Sequence, residues 1–170
     1  MKTPAPEFSR PLQVDRVPAG GSHERLRADP EELVALARRL DVPALHSLSA
    51  KLLASPWRGG GLKVTGEIVA DVEQVSVVSL EAFQTTLRAP VERYFLPPHA
   101  FSRSSEEDAD PIEAGSVDLG EVVTEALALE LDPYPRQPGE DFTVSPVEEP
   151  ETPGKSSPFE ALKVLKDKQR

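Results

Sequence analysis

The chain has 170 residues, a formal charge of −10 and no cysteine. That length suits one hydrophobic core with an appended tail, and the absence of cysteine excludes disulfides and thiolate metal sites. No run approaches the roughly 20 apolar residues that a membrane-spanning helix requires, and the start, Met1-Lys2-Thr3-Pro4-Ala5-Pro6-Glu7, lacks the apolar stretch of an export signal, so a cytoplasmic protein is expected.

From the N-terminus, Phe8 to Val17 reads as a first strand, with Leu12 and Val14 alternating against Gln13 and Asp15, and Pro18-Ala19-Gly20-Gly21 turns it. A second strand follows at His23 to Ala28. Asp29-Pro30-Glu31-Glu32 then opens a helix: Asp29 caps, Pro30 sits where its missing N–H costs nothing, and Glu32 has capping-box spacing. Leu33, Leu36, Ala37 and Leu40 form its apolar stripe, and it stops before Pro43. Leu45 to Ser55 returns to strand and leads through Pro56-Trp57-Arg58-Gly59-Gly60-Gly61 into the longest alternating stretch of the chain.

That stretch, Gly59 to Phe83, is the ladder on which the fold is organised. Leu62, Val64, Gly66, Ile68, Ala70 and Val72 share one phase, while Lys63, Thr65, Glu67, Val69, Asp71 and Glu73 share the other, the pattern of a strand with one buried and one wet face. It pairs with Leu45–Ser55 as a long hairpin. From Val75 the phase changes, which predicts either burial on both faces or a register-shifting bulge. Gln84 to Phe95 continues in strand style, with Pro90 implying an edge or bulge position.

Residues 102–116 read as a mobile acidic loop. Ser116 to Leu131 is a second helix, with Asp118 as cap, Glu121 three residues on, and Leu119, Val122, Val123, Ala126 and Leu127 on one face. Seven prolines lie between Pro133 and Pro158, so residues 134–170 read as a flexible, acidic tail that ends in a short amphipathic helix with a Phe159/Leu162/Leu165 stripe. The expected fold is therefore α+β: residues 1–133 form a curved, mostly antiparallel sheet or incomplete β-barrel with two packed helices.

Charge is unevenly spread. Residues 1–103 carry a net +1, residues 104–151 a net −14, and residues 152–170 a net +3. The acidic block repels phosphate and favours basic partners, so RNA contact falls to the arginine-bearing body. There Arg10, Arg16, Arg25, Arg27, Arg88 and Arg93 either gather into a basic surface or scatter among acids, and the pattern leaves both readings open.

Catalytic signatures are missing. The three histidines (His23, His46, His99) have no nucleophile elbow beside them, and His46, on a strand phase, reads as a partly buried structural residue. Gly59-Gly60-Gly61-Leu62-Lys63 lacks phosphate-loop spacing and precedes a strand, so it reads as a turn. Glu106-Glu107-Asp108-Ala109-Asp110 lacks the acid ladder of a calcium loop and reads as a solvated charge run. Glu67, Asp71 and Glu73 read as solubilising residues.

Several stretches together are similar to the alphaproteobacterial branch of the YceD family, the large ribosomal RNA subunit accumulation proteins. They are Pro18-Ala19-Gly20-Gly21; Trp57-Arg58-Gly59 leading into Val64-Thr65-Gly66; Gln74-Val75-Ser76-Val77-Val78-Ser79-Leu80-Glu81-Ala82-Phe83; Val117-Asp118-Leu119-Gly120-Glu121 with Leu127-Ala128-Leu129 and Asp132-Pro133-Tyr134-Pro135; and Ser157-Pro158-Phe159-Glu160-Ala161-Leu162. The family pattern usually places cysteine where Ser76 stands, and often at Ser79 as well, so a metal or redox role there is not carried over. The resemblance implies a ribosome-biogenesis factor that supports accumulation of large-subunit (23S) rRNA, and the missing catalytic signatures add the expectation of no enzymatic activity and no cofactor. Its expected partners are basic ribosomal or ribosome-assembly proteins, met through Phe159, Leu162 and Leu165. Direct rRNA binding by the six arginines is the alternative, and a hydrolase or nuclease a more distant one.

Overall fold

The alternating stretch that begins at Leu62 becomes the central strand of a five-stranded sheet. The computed structural model describes residues 6–100 and 109–140. The chain divides into two units, Met1–Glu140 and Asp141–Arg170, and the first contains every described residue. Its elements are β1 (Pro11–Gln13), β2 (Ser22–Arg27), α1 (Pro30–Arg39), β3 (Ala44–Trp57), β4 (Gly61–Val75), β5 (Ala82–Leu96), β6 (Ala109–Pro111), β7 (Ser116–Asp118) and α2 (Leu119–Glu130).

The large sheet runs β2-β3-β4-β5-β6, and β1 pairs with β7 in a separate two-stranded ribbon. Every pairing is antiparallel except β5 with β6. The outermost strands, β2 and β6, do not pair with each other, so the sheet stays open and does not close into a barrel. The β3–β4 hairpin turns at Gly59 (φ 67°) and Gly60 (φ 76°), conformations that glycine adopts without steric cost.

The two phases of β4 separate as the sequence predicts. Leu62, Val64, Ile68, Ala70 and Val72 are buried and join Leu26, Leu48, Ala50, Ala89 and Val91 beneath the helices. Burying each such Val, Leu or Ile side chain contributes about 1.5–3 kcal/mol. Onto this face α1 brings Leu36 and Ala37, and α2 brings Leu119, Val122, Val123 and Leu127. Both helices and the side chain of Phe8 share that single core, and among the described residues no helix covers the opposite face of the sheet.

α1 starts as its sequence dictates: Asp29 accepts from the Glu31 and Glu32 N–H groups at 3.0 and 2.9 Å, and the Glu32 carboxylate accepts from the Asp29 N–H at 2.9 Å. α2 departs from the expected capping box. Asp118 accepts from the Gly120 N–H at 2.9 Å, but Glu121 turns away to the guanidinium of Arg39, 2.5 Å distant. Asp118 instead accepts from the Ser9 hydroxyl at 2.6 Å and the Arg10 N–H at 2.7 Å, tying the N-terminal segment to the start of α2.

Four other expectations change. Phe8–Val17 is not one strand: only Pro11–Gln13 pairs, and Val14–Arg16 coils into a 3-10 turn, because the partner is the short β7 and not the main sheet. β4 neither becomes buried on both faces nor bulges at Val75; it ends there, and the chain reverses through residues 76–81 with Leu80 in the left-handed region (φ 62°). The apolar residues of that turn, Val75, Val77 and Leu80, are exposed. Parts of the stretch read as a mobile loop are strand, since β6 and β7 lie within or at the end of residues 102–116; residues 101–108 lie outside the described residues. The first unit also continues past residue 133 to Glu140. Pro90 does stand at an edge, for β6 covers β5 only at Tyr94–Leu96.

Candidate functional site

Register places a set of cations and aromatics on the face of the sheet that the helices leave open. Arg27, Ser49, Val69 and Arg88 form one cross-strand row, and Arg25, Lys51, Glu67 and Pro90 form the next. His23, Leu53, Thr65 and Glu92 follow, then Ser55, Lys63 and Tyr94, with Trp57 at the end. Arg25, Arg27, Lys51 and Arg88 are exposed, and none lies within ion-pair distance of a carboxylate among the described residues. Arg25 and Lys51 stand directly opposite each other, a like-charge pairing that costs stability in an isolated sheet.

At the Trp57 end, the Trp57 and Tyr94 rings stack obliquely, with centroids 4.7 Å apart and planes at 48°. The Arg58 guanidinium lies over the Trp57 ring at 4.7 Å, and the Lys63 ammonium lies 5.0 Å from the Tyr94 centroid. Lys63 also pairs with Glu92 at 2.9 Å; hydrogen bonding to Glu92, and then to Tyr94, raises its pKa. A shallow pocket of about 260 Å³ opens between β2, β3 and β4, lined by His23, Arg25, Lys51 and Thr65 among others. An exposed sheet carrying half-buried aromatic rings and unpaired cations has what a flexible nucleic-acid strand needs: π-faces for bases and charges for phosphates.

The six arginines singled out by sequence separate into three groups. Arg25, Arg27 and Arg88 share the open face. Arg10 is held by both oxygens of Glu32, at 2.7 and 2.9 Å, and Arg93 projects on the helix-covered side to Asp110 at 2.5 Å and Glu125 at 2.9 Å. Hydrogen bonds to those carboxylates, from Glu32 and Asp110 first, raise both arginine pKa values, so the two are structural. Arg16 lies in the 3-10 turn after β1, apart from the sheet rows. Sequence reasoning missed Lys51, Lys63, Trp57 and Tyr94. The available signal was parity: Lys51 and Lys63 occupy the polar phases of β3 and β4.

Asp71 and His46 make local contacts. Asp71 accepts from Thr86 at 2.6 Å and Ser47 at 2.7 Å, and these bonds, Thr86 first, lower its pKa. His46 is exposed and not partly buried, because the bulge between Leu45 and Ser47 removes it from the ladder and leaves it 3.3 Å from Glu73. Among the described residues no group of three or more His, Asp or Glu side chains is placed to hold a metal ion.

Ser76 is fully buried. Its hydroxyl donates a short hydrogen bond to Glu140 and accepts from the Val78 and Ser79 N–H groups at 3.1 and 3.3 Å. The Val77 N–H donates to the Pro135 carbonyl at 2.9 Å. The turn therefore clasps residues 135–140, and hydrogen bonds from Ser76, then Ser79, lower the Glu140 pKa. Phe159, Leu162 and Leu165 lie outside the described residues.

No curated protein and no solved structure shows significant similarity to the chain. A family model described as large ribosomal RNA subunit accumulation protein YceD matches residues 64–166, more than half of the sequence, from within β4 through α2 and beyond. With the Ser76 turn and α2 both inside the matched region, the chain belongs to the YceD family, whose name ties it to accumulation of the large ribosomal subunit RNA.

Proposed function

We propose that this protein supports large-subunit rRNA accumulation as a non-enzymatic, cytoplasmic binding factor that holds an unpaired rRNA segment on the open face of its sheet. The observation that carries this reading is the coincidence, on one uncovered face, of Arg25, Arg27, Lys51 and Arg88 with the Trp57–Tyr94 pair. In this reading the cations meet the phosphates of a strand whose bases stack at the aromatic end, and the spacing that supports it is about 20 Å along β3 from Lys51 to Trp57 at ordinary strand rise. The acidic side chains of α2 point the ligand to the sheet and away from the helices.

Titration of full-length protein with single-stranded fragments of 23S rRNA tests this, read by the fluorescence of Trp57, the only tryptophan. Four phosphate contacts predict a slope of log affinity against log salt of about −3, and each cation removed should lower it by about 0.7. Trp57→Ala should weaken binding by about 5- to 100-fold, the range of one lost base stack. Affinity indifferent to Arg25→Ala/Lys51→Ala and to Trp57→Ala would overturn the reading.

A second reading rests on the sequence pattern Phe159/Leu162/Leu165, interspersed with lysines, as a docking element for ribosomal or assembly proteins. The full-length triple substitution of these residues to Ser should then abolish co-purification of such proteins while leaving RNA affinity unchanged. Unaltered co-purification and unaltered rRNA levels would exclude it.

A further inference from the structure

The turn between β4 and β5 and the segment that follows α2 border an open groove of about 820 Å³. Most of its lining is apolar, with Leu40, Val42, Val75, Val77, Leu131 and Pro133 among it. Val75 and Val77, which line it, are 41% and 47% exposed; Leu80 in the turn, Leu129 near the end of α2 and Tyr134 after it lie outside the lining and are more exposed still. Among the described residues the only other large exposed hydrophobic is Val34. Exposed apolar side chains are thus concentrated around one concavity, which is how protein-binding sites are marked on monomer surfaces.

Charge selects the occupant. Asp41 and Asp132 line the groove, and Glu73, Glu81 and Glu130 lie on the segments that build it. The one cation in the lining, Arg39, is committed to Glu7 at 3.0 Å and Glu121 at 2.5 Å, and those bonds, Glu121 first, raise its pKa. The lining itself therefore presents Asp41 and Asp132, with its one cation already paired, while Arg38 and Arg136 stand on the bordering segments outside the lining. A second copy of this unit would bring the same acidic rim against the first.

We infer that this groove binds a Lys/Arg-rich amphipathic helix of a partner protein, apolar stripe in the groove and cations against Asp41 and Asp132. The mode is that of a helix laid in a hydrophobic groove, with charge fixing its register. The site is distinct from the RNA-binding face, and each stands without the other.

The test uses full-length protein and a fluorescent 18-residue Leu/Lys peptide designed with one apolar stripe, a scrambled peptide of the same composition, and a Leu/Glu counterpart. The patterned Leu/Lys peptide should bind at least tenfold more tightly than the scrambled one, and the Leu/Glu peptide should not bind. Val77→Asp should weaken binding at least tenfold, and Asp132→Asn, which leaves the apolar floor intact, about threefold, with circular dichroism and rRNA affinity unchanged in both. Equal affinity for the patterned and scrambled peptides would reduce the groove to an acidic surface and overturn the inference. So would indifference to Val77→Asp, or a dimer in sedimentation that Val77→Asp dissolves.

Discussion

Gly120→Ala sets local propensity against tertiary packing with opposite signs. Gly120 is the second residue of α2, and in a helix interior alanine is favoured over glycine by about 0.8–1 kcal/mol. A β-carbon at this position, however, would stand 2.2 Å from the Phe8 carbonyl oxygen and 3.0 Å from the Ser9 α-carbon. Both are main-chain atoms, so no side chain can swing aside; the N-terminal segment must lift by about 1 Å to restore van der Waals contact. That movement loosens the Leu119 N–H to Arg10 carbonyl bond at 3.0 Å, the two bonds to Asp118 at 2.6 and 2.7 Å, and the seating of the buried Phe8 ring. Three hydrogen bonds at about 0.5–1.5 kcal/mol each put the loss at about 1.5–4.5 kcal/mol if all three are given up. Set against the propensity gain, the net change should be a destabilisation of about 0.5–3.5 kcal/mol. Urea unfolding followed by far-ultraviolet circular dichroism measures it. A stabilised variant would show that the N-terminal segment is not anchored on α2 and that the helix alone governs this position.

Three further outcomes are expected. Ser76→Ala removes one donor and the acceptor of two N–H groups from a buried site, which should cost about 1–3 kcal/mol; hydrogen exchange at the Val77 amide should quicken as residues 135–140 come away, and unchanged protection would refute the clasp. Arg93→Met leaves Asp110 and Glu125 without their shared cation, and for a pair partly open to solvent the loss should be about 1–2 kcal/mol with β6 released from β5, visible as new protease cleavage near Ala109. Glu32, Asp71 and Glu140 have pKa values lowered in the fold by Arg10, Thr86 and Ser76 respectively. Their stabilisation is complete above the unfolded values near about pH 4 and is lost as pH falls through the lower folded values. The urea midpoint should thus hold between neutral pH and about pH 5 and drop below about pH 4; a midpoint that rose on acidification would contradict the sign.

Period-two patterning made the centre of this fold legible. β3, β4 and their glycine turn were readable because one face of each strand is buried and the other wet, and α1 because its cap, proline and Glu32 agree with its stripe. Legibility failed where structure is set by distant partners. Nothing local tells Pro11–Gln13 to pair with Ser116–Asp118 across the chain, or Glu121 to leave its capping position for Arg39. The phase change at Val75 is visible in the sequence, but the apolar run marks the end of a strand and a turn in place of deeper burial, and Val75 and Val77 line a groove. For the binding face, the arginines could be counted, but only register shows that Arg25, Arg27 and Arg88 share a surface while Arg10 and Arg93 are spent on carboxylates. Lys51 and Trp57 join that surface through strand parity, which composition does not record.

The way β5 meets solvent bears on how this protein avoids sticking to itself. Between Ala82 and Arg93 its outer edge has no strand partner among the described residues, a length at which unpaired backbone groups can template another chain. Pro90 removes a donor near the end of that run, and the exposed Arg88 and Glu92 on either side add desolvation cost to any strand that tries to join. A proline that contributes nothing to the ladder thus acts as a guard against edge-to-edge polymerisation. Pro90→Thr would make a better strand and a less soluble protein.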